Sequence, residues 1–92
     1  MQYLQQDTKG KKIIVEVGMD ISAASVLRIY YRKPDGTKSY WTATEHTARS
    51  ITHTLAASEL DQAGIWQVQP YAVVGDEEIF GDIERFLVKE NL

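Results

Sequence analysis

Residues 28 to 40 hold the side chains best suited to recognition: Arg28, Tyr30, Arg32, Lys38 and Tyr40, placed on either side of the turn Pro34-Asp35-Gly36. Aromatic rings flanked by cations can engage acidic or ring-bearing partners by stacking and charge. The same tyrosines paired across two strands also stabilise a sheet by about 0.2 to 1 kcal/mol with no partner present. Which role applies depends first on whether the five residues share a face.

Other chemistry is sparse. The two histidines, His46 and His53, have no cysteine, second histidine or carboxylate at a zinc-like spacing, although Glu45 adjoins His46. Asp76, Glu77, Glu78, Asp82 and Glu84 form an acidic segment whose spacing matches no calcium loop, so it reads as a solvated turn that deters edge pairing. Ser50, Ser58 and the threonines show no base and orienting carboxylate beside them, and no phosphate-binding loop is present. The expectation is a non-enzymatic protein with no catalytic residue, no cofactor and no metal.

The turn sets the geometry of the recognition residues. Pro34 presets φ for a tight turn and Gly36 accepts the positive φ that closes a three-residue hairpin loop. If Lys33 faces Thr37, then Tyr31 faces Ser39, Ile29 faces Trp41 and Leu27 faces Ala43, because opposed residues in an antiparallel pair sum to a constant. Trp41 then points inward. On the outer face Arg32 opposes Lys38, Tyr30 opposes Tyr40, and Arg28 opposes Thr42.

Period-two alternation marks further strands at 11 to 18, 48 to 56 and 64 to 74, with a last strand or pair of short strands after Gly75, kinked at Gly81. In the second of these, Ile51, His53 and Leu55 share one side, so His53 reads as a core or rim residue that could act as a proton switch only beside a carboxylate. Pro70 removes a ladder donor and predicts an edge or bulge there. Ser58 is placed to cap one short helical turn near 58 to 62, ended by Gly64. About seven strands without a sustained helical period predict an all-β, immunoglobulin-like antiparallel sandwich, with a small closed barrel as the alternative.

The 92 residues suffice for one domain, 1 to 92, and the 43% apolar and 25% charged fractions are those of a globular chain. No run of about 18 apolar residues is present, so no membrane contact is expected, and MQYLQQDTKGKK lacks a signal-peptide apolar region, which predicts a cytoplasmic site of synthesis. The net charge of -3 argues against nucleic acid. It divides unevenly: residues 1 to 46 carry seven Lys/Arg against five Asp/Glu, and residues 47 to 92 carry three against eight, an asymmetry that favours contacts between copies.

The stretch LDQAGIWQV, at 60 to 68, resembles the corner before the penultimate strand of immunoglobulin-like domains, with Trp66 in the place of the corner tyrosine and Val68 in that of the second cysteine. Over nearly the whole chain the layout is similar to small prophage-encoded immunoglobulin-like proteins and to the N-terminal domain of phage baseplate upper proteins. Lys33 to Gly36 and Gly64 to Trp66 carry that resemblance. It implies a virion- or tail-associated structural module that assembles with other phage structural proteins or with itself, the final KENL extending such a contact. The residues alone leave two alternatives: a nucleic-acid-binding small barrel, or a carbohydrate-binding sandwich using Tyr30 and Tyr40 as platforms.

Overall fold

Alternating apolar residues with no helical period leave the backbone one way to satisfy its hydrogen bonds, which is to pair as sheet. The computed structural model describes residues 2 to 91. They form β1 (Gln2–Gln5), β2 (Lys12–Glu16), β3 (Val26–Arg32), β4 (Lys38–Thr42), β5 (Glu45–His46), β6 (Ser50–Thr54), β7 (Gly64–Val74), β8 (Glu77–Phe80) and β9 (Glu84–Lys89). The larger sheet runs β1-β9-β7-β3-β4, with β8 also on β7, and the smaller runs β2-β6-β5. The architecture is an all-β sandwich. All pairs are antiparallel except β1 with β9, which is parallel.

The hairpin register is the one that the turn predicts. Gly36 sits at φ +93, the Lys33 N–H donates to the Thr37 carbonyl at 2.8 Å, and Arg28, Ile29, Tyr30, Tyr31 and Arg32 pair with Thr42, Trp41, Tyr40, Ser39 and Lys38. Trp41 is buried against the core, as are Ile51, His53 and Leu55. The core joins Ile13, Val15, Ile51 and Leu55 of the smaller sheet side to Ile29, Trp41, Trp66, Val68, Phe86 and Val88 of the larger.

Trp66 is fully buried at the centre. Its ring stacks near Trp41 and Phe86 and lies 5.6 Å from Tyr31, and its Nε1–H donates to the Gln62 carbonyl at 2.9 Å. That bond satisfies a donor that would otherwise be buried unpaired.

The helical turn expected at 58 to 62 does not form. Ser58 takes φ +66, outside the helical region, and caps nothing. Tertiary contacts decide this: the Glu59 carboxylate folds back to accept the Ala56 N–H at 2.5 Å and meets His53 Nε2 at 2.9 Å, while Leu60 is driven fully into the core. Propensity for a cap is weaker than those three anchors.

Pro70 is not on an edge strand, but the irregularity expected near it is present on one flank, where Val68 pairs with Glu84 and Tyr71 with Phe80, so that two residues of β7 face three. Pro70 is buried in the middle of β7, opposite Ile29. Its carbonyl accepts the Gly81 N–H at 3.0 Å, so the side that lacks an N–H faces the gap where β8 ends and β9 has not begun. β7 is thus served on one flank by two short strands in succession, β9 at residues 64 to 68 and β8 at 71 to 74. The break between them is the kink predicted at Gly81. A Cβ there would overlap the Pro70 ring and press on the Glu16 carbonyl. Asn91 closes the far edge by donating to the Gln6 carbonyl at 2.6 Å, and Leu92, the end of the KENL tail, lies outside the described residues.

The hairpin turn is bolted to the 60 to 64 corner. The Gln62 carboxamide donates to Asp35 Oδ2 at 2.8 Å and accepts the Asp35 N–H at 3.3 Å, and Lys33 Nζ reaches Asp61 at 3.0 Å. Gly64, at φ +129, leaves room for Pro34, whose Cβ and Cγ would stand 2.9 Å from a Cβ at that position. Backbone strain and overlap both oppose a side chain, so Gly64→Ala is expected to cost about 1 to 3 kcal/mol in chemical denaturation. Hydrogen bonds from Thr37 and Gln62 hold the Asp35 carboxyl below its ordinary 3.8. A depressed carboxyl stabilises above its unfolded value, and that contribution is lost as pH falls through the folded one. Denaturation midpoints of Asp35→Asn should therefore decline less steeply below about pH 3.8 than those of the parent.

Candidate functional site

On the outer face of the larger sheet, registers across four strands line up in rows. Lys38 of β4, Arg32 of β3, Gln67 of β7 and Arg85 of β9 form one row, each directly opposite the next. Tyr40, Tyr30 and Gln69 form the row beside it, then Thr42, Arg28, Tyr71 and Phe80. All five residues singled out in the sequence, Arg28, Tyr30, Arg32, Lys38 and Tyr40, share this face. Gln67, Tyr71, Phe80 and Arg85 join them through long-range pairing.

Above these rows lies an open cleft of about 330 Å³. Its floor is Tyr30, Arg32, Lys38, Gln67 and Gln69, and its wall is Phe80 and Ile83, which flank the β8–β9 break. Phe80 and Ile83 remain more than half exposed, at 57% and 53%. The Gln69 carboxamide donates to the Gly81 carbonyl at 2.9 Å and so fastens the wall to the floor. Gln67 makes no side-chain hydrogen bond among the described residues and is free to make one in the cleft.

The tyrosines are less open than their pairing implies. The Arg28 guanidinium lies 4.3 Å above the Tyr40 ring centroid, a cation–π contact that occupies one face of that ring. Tyr30 is half-buried, with edge-on neighbours Tyr40 at 5.7 Å and Tyr71 at 5.3 Å and Phe80 at 6.3 Å. Tyr30 is therefore no bare platform for base or sugar stacking, and Tyr40, 42% exposed, has one face already taken.

Charge on this face is segregated. The outward positions of the paired strands carry Arg28, Arg32, Lys38, Arg85 and Lys89, against Glu78 alone. The Glu78 carboxylate accepts the Tyr71 hydroxyl at 2.8 Å. The ion pairs among the described residues use Lys12, Lys33 and His53, so Arg32, Lys38 and Arg85 face the cleft side without one.

The remaining candidates are placed apart. His53 is buried, stacked on Trp41 at 4.7 Å, with Nε2 on Glu59 at 2.9 Å and Nδ1 without a partner among the described residues. Its carboxylate neighbour, six residues along the chain, is the one the sequence left open. His46 is exposed, with Nδ1 3.1 Å from the Thr47 carbonyl. The acidic segment is dispersed, with Asp76 in a turn, Glu77 and Glu78 on alternate sides of β8, Asp82 in the break and Glu84 on β9. Among the described residues no three His, Cys, Asp or Glu side chains converge as a metal site would require.

No family model and no curated protein matches the chain. Among solved structures the fold is similar to the crystal structure of CopC from Methylosinus trichosporium OB3b, with a TM-score of 0.63 and 20% identity over 99% of this chain and 87% of that one. That likeness establishes the shared sandwich. It also overturns the resemblance to prophage and baseplate proteins, and with it the virion or tail role, since the neighbour found is a CopC and no family model matches. The physical reason lies in the motifs: Lys33 to Gly36 is a tight turn, and Gly64 to Trp66 is the corner that receives it. Each is accounted for by local packing that any sandwich with this hairpin can use.

The Tyr71 hydroxyl, donating to Glu78 and partly desolvated, is held above its ordinary 10.0. In an ultraviolet titration of tyrosinate, Glu78→Gln should let this ring ionise at lower pH, leaving the curve of the other tyrosines in place.

Proposed function

We propose that this chain is a non-catalytic binding domain that takes an acidic partner against the outer face of its larger sheet. The observation that carries this reading is Arg32 set directly opposite Lys38, with Arg85 in the same row and, among the described residues, no carboxylate in that row. Like charges opposed across a sheet are destabilising. The chain has 13 Asp and Glu for 10 Lys and Arg, so carboxylates to neutralise the row are plentiful, yet they lie elsewhere. A local rule broken without compensation inside the molecule points to compensation from outside it.

The lining supports a protein-like ligand over a nucleic acid or a sugar. Tyr, Phe and Arg around a partly apolar cleft are the residue types that interfaces favour. The stacking alternatives are weakened, because Arg28 occupies one face of Tyr40 and neighbouring rings enclose Tyr30. No helix among the described residues is long and apolar enough to cross a membrane.

The test is fluorescence anisotropy with acidic, neutral and basic peptides of equal length, repeated with single-stranded DNA. The acidic peptides should bind most tightly, weaken with added salt, and lose at least tenfold in affinity to the double variant Arg32→Glu, Lys38→Glu. Equal binding of basic and acidic peptides, or preferential binding of DNA, would refute the reading.

A further inference from the structure

The cationic row ends at an unpaired strand edge, and this suggests how an acidic partner is held. In an antiparallel pair, residues alternate between exchanging both hydrogen bonds with the neighbour and turning their N–H and C=O away from it. The Lys33 N–H bonds the Thr37 carbonyl and the Ala43 N–H bonds the Leu27 carbonyl. By that alternation Ser39 and Trp41 spend their backbone groups on β3, whereas Lys38, Tyr40 and Thr42 direct theirs outward. β4 is the last strand of its sheet, and those outward groups have no partner among the described residues.

The three residues with free backbone groups are also the three whose side chains lie on the cationic face. We infer that an extended acidic peptide segment adds to β4 as a further strand, pairing with Lys38, Tyr40 and Thr42 and placing a carboxylate beside Lys38. This rests on the acidic-partner reading above and specifies its mode.

Charge and shape select this occupant. A strand laid along β4 continues each row by one residue. Opposite Lys38 the row Lys38–Arg32–Gln67–Arg85 would gain the carboxylate it lacks, and opposite Tyr40 it would gain an aromatic or β-branched side chain, the cross-strand neighbour that tyrosine favours. The recognised pattern is an acidic residue two positions from an apolar one. Main-chain bonds then supply affinity and alternate side chains supply selectivity. The free edge of the smaller sheet is less suited, because β2 exposes Lys12 and Glu16 on either side of Ile14, and Lys12 is already paired with Glu45.

The test uses the full chain and a labelled nine-residue peptide carrying a central Glu-x-Tyr. Two N-methylated forms of it block alternate sets of backbone N–H groups. One set should lower affinity at least tenfold while the other leaves it near the parent value, and Thr42→Pro should also weaken binding tenfold or more. Position 42 is one where proline is tolerated, since its N–H faces away from the ladder, and an unchanged circular dichroism spectrum confirms the fold. Hydrogen exchange at Tyr40 and Thr42 should slow on binding.

Equal affinity of both N-methylated forms, with sensitivity to Arg32→Glu, Lys38→Glu retained, would overturn strand addition and leave the acidic-partner reading standing. No binding of any acidic peptide would remove both. Concentration-dependent self-association through β4, abolished by Thr42→Pro while the peptide fails to bind, would replace the peptide with a second copy of the chain and overturn the inference.

Discussion

The Trp66 indole N–H, donated to the Gln62 carbonyl, is the bond on which the larger sheet is organised. A buried indole needs an acceptor, and the acceptor here belongs to the corner that brings the chain into β7. Once Gln62 is held from the inside, its side chain is directed outward to Asp35, and Lys33 meets Asp61 beside it. The hairpin of β3 and β4 is thereby fixed to the strand it pairs with at two levels, by its ladder and by its tip. The same ring fills the centre of the core, where Trp41, Tyr31 and Phe86 surround it.

The cleft on the outer face follows from a second constraint, the missing N–H of Pro70. A continuous strand beside β7 would leave no wall and no cleft. Because the flank of β7 has nothing to donate at position 70, the chain there can leave the ladder, and it does so at Gly81, which alone fits against the proline ring. Phe80 and Ile83 are carried to either side of the break and stand above the sheet. Depth in an otherwise flat sheet face thus comes from one residue that cannot donate.

Much of the hairpin was legible in the sequence, because a tight turn fixes every pairing that follows it. Arg32 opposite Lys38, Tyr30 opposite Tyr40 and Trp41 inward all follow from Pro34 and Gly36 alone. The rest of the row was not legible. Gln67 and Arg85 reach it only through the pairing of β7 with β3 and β9, which depends on contacts distant in sequence. The reading of Ser58 as a helix cap failed for a related reason, since Glu59 and Leu60 are claimed by His53 and the core. The family resemblance failed differently: it took a turn and a corner for a lineage, when each exists because the other must fit against it.

The parallel pairing of β1 with β9 bears on orientation. Gln2 lies beside Phe86 and Gln5 beside Lys89, so the two described ends of the chain sit at opposite ends of one strand pair, both along the same margin of the sheet. That side and β4 are opposite margins, with β9, β7 and β3 between them. The cationic β4 margin is thus separated by three strands from β1 and by two from β9, the strands that carry the described ends, whichever direction each end takes.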